Sequence, residues 1–140
     1  HDHYNSLTAA QIVADIQESC GKIESVTGCR PTLIRCPYGE YDDHVISAVR
    51  SLGMEPIQWD VDSLDWKDYG VDSIIKTVTE HKHLGNGSII LCHNGAKYTA
   101  QALDTLITKL KEKGYTFVPV SELIYRDGYH MNVEGRQIKN

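Results

Sequence analysis

Apolar residues recur along this chain in two rhythms, a helical one of about 3.6 residues and short unbroken runs of strand length. Ile12, Val13, Ile16, Cys20 and Ile23 share one helical face. Ahead of them Thr8-Ala9-Ala10-Gln11 has the form of a capping box, in which two side chains satisfy N–H groups that a helix start leaves open. The pattern predicts a helix to about Val26, ended by Gly28 and kept from resuming by Pro31. Thr32 to Arg35 reads as a short strand running into the turn Pro37-Tyr38-Gly39. Asp42 or Asp43 caps a second helix carrying Val45, Ile46, Val49 and Leu52, closed by Gly53.

Pro56 to Val61 is the next predicted strand, followed by a helix with Val71, Ile74, Ile75 and Val78. Gly85-Asn86-Gly87 turns the chain into Ser88 to His93, a nearly continuous apolar run that suits a strand covered on both faces. A fourth helix uses Leu103, Leu106, Ile107 and Leu110 and ends at Gly114; Tyr115 to Val120 is the last predicted strand. From Arg126 the sequence is polar and reads as a loose tail. Strands alternating with helices predict an α/β fold, a parallel sheet or barrel with right-handed crossovers.

Composition narrows the function. A chain of 140 residues, 41% of them apolar, fits one domain with a real core. A net charge of −5 without a basic stripe argues against a nucleic-acid partner. No stretch approaches the roughly 18 apolar residues of a membrane span. No secretory or transit pattern lies within the chain, and any leader would precede His1. Cys20, Cys29, Cys36 and Cys92 form no C-x-x-C pair, which disfavours a zinc knuckle; most are expected to be free thiols acting as small hydrophobes. Their spacing does not choose a pairing.

A parallel α/β fold puts its chemistry at the carboxyl ends of its strands. Three places qualify. Arg35 can hold a carboxylate, and the turn after it can aim N–H groups at an oxyanion; read plainly, it is a surface Arg before a Pro turn. Asp60 to Trp66 crowds acids and indoles that can orient a histidine and wall a sugar site; read plainly, it is a solvated acidic loop. His93 ends the apolar run and is placed as a general acid or base; read plainly, it is a hydrogen-bonded rim histidine. His44, His81, His83 and His130 sit in polar contexts and read as solvated.

In this order the three strand ends resemble the polysaccharide deacetylases of the NodB homology type, carbohydrate esterase family four. The resemblance is nearest to the peptidoglycan N-acetylglucosamine deacetylases. Asp60-Val61-Asp62-Ser63-Leu64-Asp65-Trp66 is similar to that subgroup's fourth motif. Arg35-Cys36-Pro37-Tyr38-Gly39 resembles Arg-Pro-Pro-Tyr-Gly with Cys36 in place of the first proline, Leu91-Cys92-His93 resembles Leu-x-His, and Gly114 to Val118 follows the family's last strand. The similarity spans residues 1–125, leaving 126–140 as a polar tail. It implies a distorted parallel (β/α) barrel of the NodB type.

The resemblance also implies roles. The family holds a divalent metal, zinc most of all, with an Asp and a His-x-x-x-His pair. His3, before Tyr4-Asn5-Ser6-Leu7-Thr8, corresponds to the second histidine, the first falling two positions before His1. His1 corresponds to a variable position. A metal-bound water would attack the acetamide carbonyl, and the oxyanion would rest on the metal and the Tyr38 N–H. His93, partnered by Asp65, would protonate the leaving amine; Arg35 would orient the base; Trp66 and Leu91, with Tyr38, would line the substrate pocket.

The family's Thr-Phe-Asp-Asp motif, which carries the base, has no counterpart in this sequence. The implied reading is the C-terminal part of a catalytic domain that takes its base from an N-terminal segment or companion chain and is inactive alone. Its substrate would be a cell-wall polysaccharide, peptidoglycan or a chitin-like glycan, at an extracellular or cell-surface location. The rival readings are a non-catalytic glycan-binding or scaffold fragment and a nucleotide-binding doubly wound domain; the latter lacks any Gly-rich phosphate loop after a strand.

Overall fold

The computed structural model describes residues 1–140, which divide into two compact units, 1–58 and 59–140. In the first, a turn of 3-10 helix at Tyr4–Ser6 leads into helix α1, Ala9–Thr27. Thr8 and Gln11 make the expected capping box, and Gly28 closes the helix in the left-handed conformation (φ 74°) that a Cβ disfavours. Strand β1 (Leu33–Ile34), helix α2 (Asp43–Ser51) and strand β2 (Glu55–Pro56) follow. The two strands are parallel, pairing Leu33 with Glu55 and Ile34 with Pro56, so α2 is the crossover that parallel pairing requires. Asp42 is the cap, its carboxylate accepting from the N–H groups of His44 and Val45.

The core of this unit is built where α1 meets α2. Ile12, Ile16 and Cys20, four residues apart on α1, pack with Val45, Ala48 and Val49 of α2 and with Tyr4, Cys36 and Met54. Each fully buried aliphatic chain stabilises by about 1.5–3 kcal/mol relative to exposure. The apolar stripe of α1 outruns this packing: Ile23 is 43% and Val26 86% exposed.

The second unit repeats the crossover. Strand β3 (Val61–Asp62), helix α3 (Val71–Thr79) and strand β4 (Ile90–Leu91) form a parallel pair with Val61 opposite Ile90 and Asp62 opposite Leu91. Helix α4 (Thr99–Glu112) packs on α3, enclosing Val61, Ile74, Ile75, Val78, Ala102, Leu106 and Leu110. A short helix α5 (Val120–Leu123) and an antiparallel hairpin of β5 (Tyr129–Met131) and β6 (Gln137–Lys139) complete the chain.

Four expectations are corrected. The strand predicted over Pro56–Val61 is two strands. Ile57 N–H donates to Ile34, whereas Asp60 and Val61 donate to Ile89, and Asp60 turns its carboxylate onto the Ile89 N–H (2.8 Å) and Ser88 hydroxyl (3.1 Å). Tyr115 to Val120 is no strand, because no neighbour pairs with it; Tyr115 N–H caps α4 and Pro119 opens α5. The run Ser88–His93 is not a strand buried throughout: β4 is only Ile90–Leu91, paired along one edge, and Leu91 alone of the run is buried. Residues 126–140 are not a loose tail. Asn132 folds the hairpin turn by accepting from Glu134 and Arg136 N–H, and Gln137 bonds both backbone groups of Tyr125.

Candidate active site

The β3–β4 register brings two strand ends side by side. Asp65 lies three residues beyond Asp62, and His93 two beyond Leu91. The chain between Asp62 and Asp65 bends sharply. Asp62 accepts from the Leu64 N–H (2.9 Å), Leu64 takes a left-handed conformation (φ 55°), and Ser63 Oγ accepts from the Asp65 N–H (3.3 Å). A bulky residue at positive φ is costly and recurs at functional sites. Here the bend carries the Asp65 side chain inward, where it is fully buried.

Three donors meet this carboxylate. His93 N–H and Thr99 Oγ1 both donate to Oδ2 at 2.7 Å, and His93 Nδ1 lies 2.7 Å from Oδ1. Burial, the largest single influence, pushes the Asp65 carboxyl up. The hydrogen bonds from His93 N–H, Thr99 and the His93 ring, with the ring's charge, outweigh it and hold the carboxyl below its usual range. The group is therefore a carboxylate, which only accepts, so Nδ1 carries the proton. Nε2 remains as the nitrogen able to exchange a proton with a substrate, on a ring 40% exposed against 0% for Asp65. A second tie joins the same loops: Asp68 accepts from the Lys97 N–H at 3.0 Å.

Trp66 stands on the Asp65–Lys67 turn, 54% exposed, with Lys67 Nζ 5.3 Å from its ring centre. Leu91 is buried in β4. Thr99 was not a candidate on sequence; it lies six positions past His93 as an ordinary helix-start residue, and only the fold reveals its bond to Asp65.

The first unit gathers another set. Beyond β1, Arg35 is exposed and Cys36 buried, and a 3-10 turn spans Pro37–Gly39 with Tyr38 at φ 57°. The His3 ring stacks on Tyr38, centroids 4.1 Å apart and planes 12° from parallel. Its Nδ1 is 2.6 Å from Glu40 Oε1. Oε2 of Glu40 is buried and has no hydrogen-bond partner. Tyr38 OH donates to the His1 carbonyl at 3.3 Å. Glu40 carried no sequence signal, being one more acid after a turn.

A histidine whose Nδ1 is held by a carboxylate presents Nε2 as metal ligands commonly do. His3 with Glu40 fits one place in a donor set. A catalytic zinc wants three protein donors, and residues 1–140 bring together no group of three or more His, Cys, Asp or Glu able to hold an ion.

Two of the histidines read as solvated also make local contacts. His44 bridges the Asp42 carboxylate and the Leu7 carbonyl, and the half-buried His81 ring meets His83 edge-on at 5.3 Å. All four cysteines are free, Cys20 and Cys36 buried and Cys29 exposed.

Comparison with known proteins extends these observations. Residues 1–57 match the polysaccharide deacetylase family. The chain is 36% identical over 123 residues to peptidoglycan-N-acetylmuramic acid deacetylase PdaC of Bacillus subtilis, covering 88% of this chain and 25% of the relative. It is 34% identical over 123 residues to peptidoglycan-N-acetylglucosamine deacetylase PgdA of Listeria monocytogenes, again 88% and 25%. The solved PdaC structure superposes with a TM-score of 0.75, over 88% of this chain and 58% of that one. BA3943 of Bacillus anthracis, described as a family 4 carbohydrate esterase pseudoenzyme, superposes at 0.77 with 34% identity, over 84% of this chain and 41% of that one. The chain thus spans about a quarter of the length of these curated relatives. The α/β fold of NodB-type deacetylases is the fold it shares with these structures.

Proposed function

The chain belongs to the polysaccharide deacetylase family, and on that premise we propose that it serves hydrolytic N-deacetylation of N-acetylglucosamine units in a cell-wall polysaccharide, peptidoglycan first. The observation that carries this reading is the His93–Asp65 pair: an exposed imidazole whose Nδ1 is held at 2.7 Å by a buried carboxylate. Amide hydrolysis stalls on expulsion of an amine, a poor leaving group until protonated. A histidine with one nitrogen fixed and the other facing outward supplies that proton. Asp65 orients the ring and balances the charge it acquires.

Around this acid, Trp66 offers a half-exposed indole face to a sugar, with Leu91 behind the same strand ends. In the first unit, Tyr38 contributes its backbone N–H toward an oxyanion and Arg35 its guanidinium toward the base. His3, with Glu40 behind it, takes one place in the donor set of a divalent metal, zinc in this proposal. No three donors meet within residues 1–140, so the step these residues account for is delivery of the proton to the leaving amine. The base and the other donors belong to a companion segment or chain. The setting is the cell surface, where the substrate is; no helix of the chain is long and apolar enough to cross a membrane.

A second reading, a non-catalytic glycan-binding or scaffold fragment, has its precedent in BA3943, a pseudoenzyme 34% identical to this chain. Acetate release from purified peptidoglycan and from chitin oligomers by the intact protein separates the two. The proposal expects acetate, with glucosamine appearing in the digested glycan. No release from either polymer would favour the scaffold, and muramic-acid products would move the specificity to the other sugar.

A further inference from the structure

Thr99 is the first helical residue of α4, one position past the N-cap from which a hydroxyl would cap the helix. It does not cap here. The cap position is Tyr98, without a side-chain hydrogen bond, and the Thr99 hydroxyl instead donates to Asp65 Oδ2 at 2.7 Å. We propose that Thr99 is a positioning residue for the acid: with the His93 N–H it occupies Oδ2, so that Oδ1 faces the ring and fixes His93 in the Nδ1–H tautomer. This rests on the reading of His93 as the acid.

The geometry explains why a second donor is needed. A carboxylate on a short side chain turns about its last bond, and either oxygen can face the imidazole. Fully buried, Asp65 has no water to fill its lone pairs, so each acceptor position left empty is costly. The His93 N–H reaches Oδ2 at 2.7 Å but is on the same residue as the ring, and by itself it anchors Asp65 to His93 alone. Thr99 ties the same oxygen to α4, whose Ala102, Leu106 and Leu110 are packed in the core. The β-branched side chain restricts rotation of the arm that carries the hydroxyl. The carboxylate is thereby fixed to the scaffold, the Nδ1 proton stays on Nδ1, and Nε2 of His93 keeps one direction as it gives up its proton. Neither the Asp65 nor the His93 motif points to this residue.

Ring-nitrogen NMR of the intact protein labelled with 15N-histidine reads the tautomer directly and does not depend on turnover. In the parent protein Nδ1–H should exceed Nε2–H at His93 by about tenfold or more, the bias of one charge-assisted hydrogen bond. Thr99→Val, which keeps the shape and removes the hydroxyl, should lower that ratio by about threefold or more, and Thr99→Ser should restore it. If the Val variant does not fold, Thr99→Ala makes the same reading without a methyl against the carboxylate. An unchanged ratio in a folded Val or Ala variant would overturn the proposal, as would a Ser variant no better than Val. Failure of both Val and Ala to fold would also overturn it, by making Thr99 a folding residue. Full turnover by His93→Ala would remove the acid reading and leave the tautomer result intact, so the two failures are distinguishable.

Discussion

His93 Nδ1 and Asp65 Oδ1 are 2.7 Å apart across a sequence separation of 28 residues, the second of them fully buried. The parallel register of β3 and β4 creates this pair, and it predicts a specific defect. Asp65→Asn keeps the volume but offers an amide N–H toward Nδ1, which favours the opposite tautomer. Turnover of the intact protein should fall by about 100-fold or more with the fold retained. Kinetics alongside circular dichroism check this.

Acid stability follows from the same carboxylate. Its folded pKa lies below the ordinary value, so the unfolded chain binds its proton first as pH falls. The stabilisation is present above the ordinary Asp pKa of about 3.9 and is lost as pH drops through the lower folded value. In denaturant titrations the gap between the parent and Asp65→Asn should be widest above about pH 5 and should narrow toward pH 2. A gap independent of pH would contradict it.

How much of the fold and site was legible in the sequence depended on the kind of signal. The cap of α1, the α1 and α3 stripes and the His93 strand end were readable because helical period and capping chemistry are local. The pair Asp65–His93 was readable only through motifs in order, since nothing local says that β3 lies beside β4. Thr99 and Glu40 were invisible, each a common residue whose role is a partner distant in sequence. The strand expected at Tyr115–Val120 failed for the converse reason: β-branched, aromatic composition favours an extended chain, but a strand needs a neighbour. The 126–140 hairpin was missed because polar side chains, Asn132 and Gln137, rather than an apolar alternation, order it.

Thiol chemistry should follow burial. Cys29 is exposed, whereas burial pushes the Cys36 thiol up, away from the reactive thiolate. Timed alkylation of the native protein with mass mapping should label Cys29 first and Cys36 last, with all four modified once unfolded. Early labelling of Cys36 would place that turn in an open state.

Residues 1–140 expressed alone should self-associate. Their parallel strands form isolated two-stranded ladders with unpaired edges, and Leu103, Phe117 and Val118 are exposed. Light scattering during a concentration series tests this, and a monomer that melts cooperatively at every concentration would refute it.

Whether His93 is the acid of an N-deacetylation is decided by acetate release by the intact protein and its His93→Ala variant, on the polymer the parent protein uses. The variant should fold, bind the glycan and release acetate about 100-fold more slowly or worse. Equal rates from parent and variant would contradict it.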